Sequence, residues 1–286
     1  MNFSHQRSIP ESLREYGRGI AGGLMFSLPL LYTMEVWWAG FTLHPGRILL
    51  YIACTFALLM LYNRFAGLRR DATWREVAID SVEEMGVGLV IAAVVLWLTG
   101  RLGGGMSLAE TAGKVVMEGM TVAIGVSVGT AQLGGEDTGD EGVEGDDARS
   151  GGYLPQAAIA LCGAVLFVAN VAPTEEIAVI AMETRPVMLL LLAFSSLALA
   201  TLVLHFSGVH GSDRHVASDT WGQSAGGVVT TYGVALLAAG ACMHFFGKLD
   251  GLPLSMVVSR CVVAGVPAVL GASAGRLLLQ IRPPGH

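Results

Sequence analysis

The sequence predicts an all-α integral membrane protein of about eight transmembrane helices, formed by two tandem four-helix repeats. Three observations carry this: a shortage of charge, apolar runs long enough to span a bilayer, and a self-match of the chain at a shift of about 141 residues. Hydrophobic residues make up 53% of the chain and charged residues 14%, with a mean hydropathy of +0.59. Soluble domains carry about 25% charged residues. This chain has too little polar surface to coat a water-soluble globule.

A spanning helix needs about 20 mostly apolar residues. Eight segments qualify: 19–43, 46–66, 79–100, 110–132, 156–182, 186–208, 222–247 and 253–280. The first follows a polar stretch too long for the charged start of a cleaved signal peptide, so it is expected to remain in the mature protein. The second, third and sixth are the cleanest. Lys114 and Glu118 interrupt the fourth, which taken alone would read as an interfacial helix. Residues 133–154 separate the halves. Their acidic, glycine-rich composition cannot bury enough apolar surface to offset the entropy of ordering, so a cytoplasmic linker is expected. It lacks the residue order of an EF-hand calcium loop. The first repeat therefore covers 1–132 with its polar N-terminus, and the second 155–286.

The self-match places 22–67 over 163–208 without a gap. Apolar segments match one another cheaply, so the weight rests on Glu35/Glu176, Pro45/Pro186 and the closing Phe65-x-Gly67/Phe206-x-Gly208. With a small insertion, 120–129 lies over 266–275, which also superposes Lys114 on Arg260 and supports the fourth segment as a span. An even number of spans per unit makes the repeats parallel; a re-entrant segment in each would make them inverted.

Arginines cluster before the first span (Arg7, Arg14, Arg18), between the second and third (Arg64, Arg69, Arg70, Arg75), at Arg214, and at the end (Arg276, Arg282). The alternate connections hold only Arg47, Arg101, Arg185 and Lys248. This asymmetry predicts both termini in the cytoplasm. The net charge of −6 argues against nucleic acid as a partner. The expected partners are the lipid bilayer and a small cation or proton.

Intramembrane acids need a reason, because a charge at mid-helix costs at least about 2.5–3.5 kcal/mol. Glu35 and Glu176 occupy equivalent places, Glu175 adjoins the latter, and Glu118 is expected at similar depth. Pro29 and Pro173 lie close by and are expected to break their helices, releasing carbonyls that Thr33, Thr174, water or a cation can meet. Broken helices carrying carboxylates are one way transporters build ion sites. The sharper reading is an ion pathway lined by Glu35, Glu176, Glu175, Glu118, Thr33 and Thr174, in a cation channel or secondary transporter. The plainer one is a non-transporting scaffold or sensor in which Lys114 and Arg260 pair with the duplicated glutamates. Asp80, Glu83 and Glu84, near the end of the third span, are expected to face water or headgroups.

The remaining features read mainly as structure. Cys54, Cys162, Cys242 and Cys261 lack metal-ligand spacing and read as small hydrophobes. Gly19/Gly23, Gly125/Gly129 and Gly271/Gly275 form small-residue faces that pack within a protomer or between protomers of a homo-oligomer. Trp37 and Trp38 suit an aromatic belt, and His205, His210 and His215 read as solvated. No hydrolase, phosphate-binding or haem motif occurs, so neither catalysis nor a cofactor is expected.

The run Leu28-Pro-Leu-Leu-Tyr-Thr-Met-Glu-Val-Trp-Trp38, with Ala172-Pro-Thr-Glu-Glu176, resembles an uncharacterised family of bacterial putative integral membrane proteins. The resemblance implies a bacterial inner membrane and no particular activity.

Overall fold

The computed structural model describes residues 9–67, 72–133, 153–208 and 221–278. The acidic stretch 134–152 lies outside the described residues, as do Arg7, Arg69, Arg70, His210, Arg214, His215 and Arg282 and the side chains of His205 and Arg276. Among the described residues the chain is helical, with no strand. The helices are α1 (Ile9–Leu31), α2 (Met34–Thr42), α3 (Pro45–Tyr62, continued by a π-helical turn Asn63–Gly67), α4 (Trp74–Leu98) and α5 (Leu108–Gln132). Beyond residue 152 come α6 (Tyr153–Ala169), α7 (Glu175–Glu183), α8 (Pro186–Gly208), α9 (Trp221–Phe245) and α10 (Leu254–Leu278).

Local chemistry sets the ends of these helices. Pro45 opens α3 behind His44, whose ring accepts the Gly46 N–H. Thr73 and Glu76 form a reciprocal capping box on α4, and Ser107 caps α5 through the Glu110 N–H. α4 and α9 end alike. Gly100 and Gly247 take positive φ (71° and 72°), and the following N–H reaches back to Leu96 and Met243 respectively. Only glycine enters that conformation without strain, so both helices close in Schellman turns.

Among the described residues six helices are long and apolar enough to cross a membrane, and seven spans result if the bent pair α1–α2 counts as one. Eight were expected, and the difference arises at segments 19–43 and 156–182. Each is broken in two. α1 and α2 meet at 83°, so α2 runs nearly perpendicular to the helix before it. α6 ends at Ala169 and α7 begins only at Glu175. Proline is the cause in both. Pro29 has no N–H to give, and the residue before Pro173 is pushed out of the helical region. Thr33 and Thr174 then adopt extended backbone and start the next helix.

By contact the helices fall into two groups, α1–α5 around α5 and α6–α10 around α10, joined where α6 meets α1, α3 and α5 and where α9 meets α3. A continuous apolar core crosses the join, from Leu30, Val36 and Met120 to Ala164, Ala239 and Val269. α5 is the enclosed helix, with 72% of its apolar window buried, against 11% for α8. The segment least convincing as a span by composition is therefore the most central, while α8 shows Leu190, Leu191 and Phe194 to the outside.

Glycine makes the close packing possible. A Cβ on Gly22 or on Gly129 would run into the other's backbone, and the same holds for Gly163 and Gly271. Gly125/Gly129 and Gly271/Gly275 are thus used inside the protomer, where their sequence spacing had left a contact between protomers equally open. All four cysteines are free; Cys162 and Cys242 are buried as expected, but Cys54 is exposed on the outside of α3.

Candidate functional site

Because α5 is enclosed by α1, α2, α3 and α4, any polar group on it is forced into the interior. Glu118 lies ten residues along this helix, about 15 Å from its start. It is fully buried, and neither carboxylate oxygen has a hydrogen-bond partner. The nearby Trp37 indole donates instead to the Leu31 carbonyl (3.2 Å). Tyr51 of α3 is a neighbour of Glu118, and its hydroxyl shares a 2.7 Å hydrogen bond with Thr121 Oγ1. The Thr121 carbonyl in turn accepts from Ser27 of α1 at 3.4 Å. Phe245, which ends α9, and the following Phe246 pack tilted against the Tyr51 ring at 5.2 and 6.3 Å between centroids.

A second polar cluster lies further along α5. Asn63, at the start of the π-helical turn, donates to Glu84 Oε2 (2.7 Å) and Ser81 Oγ (3.1 Å), and its carbonyl accepts from Ser127 Oγ (2.7 Å). Asn63, Ser81 and Ser127 are buried and Glu84 half-buried. This corrects the expectation that Glu84 faces water. Its neighbour Glu83 is exposed and accepts from the Tyr16 hydroxyl. Buried Thr55 lies on the face of α3 that carries Tyr51 and Tyr62, between the two clusters. Along α5 the clusters are about 9 Å apart, from Thr121 to Ser127.

The other acids sit differently. Glu35 is in the first turn of α2, and Glu175 and Glu176 are in the first turn of α7. Glu118 is at mid-helix, whereas these three open their helices. A carboxylate at a helix N-terminus is favoured by the helix dipole, typically by about 0.3–1 kcal/mol. Glu35 is half-buried and Glu176 exposed. Thr33 Oγ1 meets the Pro29 carbonyl (2.8 Å) and Thr174 Oγ1 the Val171 carbonyl (2.8 Å), so both threonines serve the backbone at the breaks.

The basic residues have other partners than Glu35 and Glu176. Lys114 pairs with Glu110 (2.7 Å) and lies over the Phe41 ring. Arg260 donates to the Lys248 carbonyl, while the Lys248 ammonium pairs with Glu175 (2.6 Å). Arg47 forms a two-pronged pair with Asp250 across the halves (2.6 and 3.0 Å). Trp37 is half-buried under the Arg101 guanidinium at 4.6 Å, whereas Trp38 is exposed as a belt residue would be. Among the described residues no group of three or more His, Cys, Asp or Glu could hold a metal ion.

Sequence reasoning passed over Tyr51, Asn63 and Ser127, and placed Glu84 against water or headgroups. Their signal was weak but present: each is a polar residue inside an apolar run, and Thr121 follows Glu118 at helical spacing.

A family model described as "Putative integral membrane protein (DUF2391)" matches residues 15–279. No curated protein and no solved structure matches the chain.

Proposed function

We propose, from the premise that the chain belongs to this family of putative integral membrane proteins, that it passes a cation or a proton across the bilayer as a channel or secondary transporter, without covalent catalysis. The observation that carries this reading is Glu118, fully buried in the most enclosed span with both oxygens unpartnered. A buried polar group left unsatisfied costs about 1–3 kcal/mol. An apolar residue of similar volume would pack the same space at lower cost. Such a residue is kept where its proton or charge is used.

In this proposal Glu118 is the central station, and Glu35 and Glu176 are charged groups at the two helix breaks. Two tandem repeats are part of the proposal. Their support is the pair of broken helices, the matching close contacts at Gly22–Gly129 and Gly163–Gly275, and the twin Schellman turns. The contact register that pairs Gly129 with Gly275 sets Ala264 opposite Glu118, so the polar file would belong to the first half alone. The arginine distribution supports both termini in the cytoplasm, and the bacterial inner membrane rests on the family resemblance alone.

The test is ion flux into proteoliposomes, with proton, sodium, potassium and calcium gradients, comparing wild type with Glu118→Gln, Glu35→Gln and Glu176→Gln. Flux that Glu118→Gln abolishes in folded protein supports the proposal. Absence of flux for every ion would end it.

One set of contacts favours the second reading, a non-transporting scaffold. Lys248–Glu175 and Arg47–Asp250 clamp elements at the same end of the molecule, and Arg47–Asp250 joins the two helix groups. A scaffold would tolerate Glu118→Met without loss of any cellular phenotype, whereas a pathway would not.

A further inference from the structure

We infer that the species carried is the proton and that Glu84, held by Asn63 beside Ser127, is its second station, reached from Glu118 through Tyr51 and Thr121. This rests on the transport reading above and adds the identity of the substrate and the second site.

The donor set decides the substrate. Calcium takes six to eight oxygen ligands, and magnesium demands a near-ideal octahedron. Around Glu118 the polar side chains are one carboxyl, the Tyr51 and Thr121 hydroxyls and the Trp37 indole, which is already bonded to Leu31. The Thr121 carbonyl is taken by Ser27. A cage for a dehydrated metal ion is missing among these residues. A proton needs only one O–H bond on one oxygen, which the Glu118 carboxyl alone can supply.

The route follows the hydroxyls. A proton leaving the Glu118 carboxyl is taken on a lone pair of the Tyr51–Thr121 hydroxyl pair, which releases one of its own protons onward. No net charge stays on either hydroxyl. Thr55 and transient water must bridge the step of about 9 Å along α5 to Ser127 and Asn63. The Glu84 carboxylate then accepts the proton, and its half-buried side chain adjoins exposed Glu83 and Tyr16.

The charged and titratable groups facing these stations are few. Toward Glu118 they are Lys114 on the same helix, neutralised by Glu110; Tyr51 on α3; Cys242 on α9, beside Tyr51; and Arg101, stacked on Trp37. Toward Glu84 they are Asp80 and Glu83 on α4, Tyr62 on α3 and Cys162 on α6.

The experiment uses the full chain in proteoliposomes containing a pH-sensitive dye, with parallel sodium, potassium and calcium arms and an infrared spectrum of each variant. Wild type should pass protons and none of the three metal ions. Glu118→Gln and Glu84→Gln should each slow proton flux about a hundredfold, the low end of what a positioned proton donor contributes. Tyr51→Phe keeps the ring packing and should slow it too, which guards against a misfolded Glu118 variant. The infrared band of the carboxyl that gains and loses the proton should be seen to titrate in wild type, and its Glu118 component should be missing in Glu118→Gln. Metal-ion flux that depends on Glu118 would overturn the proton assignment and leave transport standing. Proton flux lost in Glu118→Gln but unchanged in Glu84→Gln would remove the second station alone. Lack of the infrared band would overturn the proton assignment whatever the flux, and no flux of any ion would overturn the transport reading itself.

Discussion

Asn170 bridges the backbone of α1 at the position where Leu30 would bond to Phe26 in an unbroken helix. The Leu30 N–H donates to Asn170 Oδ1 at 3.0 Å, and Asn170 Nδ2 donates to the Phe26 carbonyl at 2.9 Å. A side chain from the second helix group is thus spliced into the first, one residue after Pro29. The same amide also donates to the Leu166 carbonyl of its own helix, at 2.6 Å.

Removing that amide should cost more than an ordinary hydrogen bond. Asn170→Leu leaves a buried N–H and a carbonyl unmet, each worth about 1–3 kcal/mol. Thermal unfolding in detergent should show a clear loss of stability, with Asn170→Asp intermediate because it keeps the acceptor only.

Glycine contacts give a sharper stability test. Gly22→Leu must push α1 off α5, because Gly129 backbone occupies the space. A loss of about 3 kcal/mol or more is expected, beyond the usual cost of overpacking. Gly17→Ala, on the same helix with nothing within 4 Å of the added carbon, is the control and should be neutral or slightly stabilising. Equal effects of the two in a melting experiment would refute the close contact.

Replacing Glu118 by methionine should raise stability while stopping transport. The substitution removes two unpartnered buried oxygens and keeps the volume, so a gain of about 1–3 kcal/mol is expected. Paired melting and flux measurements decide it: a less stable protein would mean that Glu118 has a partner.

Arg47 holds the Asp250 carboxyl below the usual carboxylate range through its hydrogen bonds and charge. A depressed folded pKa adds stability that is present above the unfolded value, about 3.9, and is lost as pH falls through the lower folded value. The pair is substantially exposed, so the contribution is about 1 kcal/mol or less. Melting temperatures of wild type and Asp250→Asn should differ slightly at pH 7 and converge near pH 3.

How much of this was legible in the sequence differs by element. α3, α4, α5, α8, α9 and α10 follow from apolar runs, because spanning length is a composition signal. The breaks at 32–33 and 170–174 were signalled by Pro29 and Pro173, but their size was not, since an 83° turn depends on what packs against it. Thr33-x-Glu35 and Thr174-x-Glu176 also have the form of helix starts. That pattern puts these glutamates in the first turns of α2 and α7. Lys114 and Arg260 aligned in the self-match yet bond elsewhere, because equivalent positions need not have equivalent neighbours. Glu118 was visible as a residue, but its burial comes from four surrounding helices, which no local pattern records.

The Tyr51–Thr121 hydrogen bond can run either way, since each hydroxyl is able to donate to the other. Two hydroxyls sharing one hydrogen have a direction, and passing a proton along them reverses it. Before the next proton can follow, both groups must rotate back. That rotation is a reset step independent of the driving gradient, so turnover would level off under a steep gradient at a ceiling set by hydroxyl reorientation inside the core.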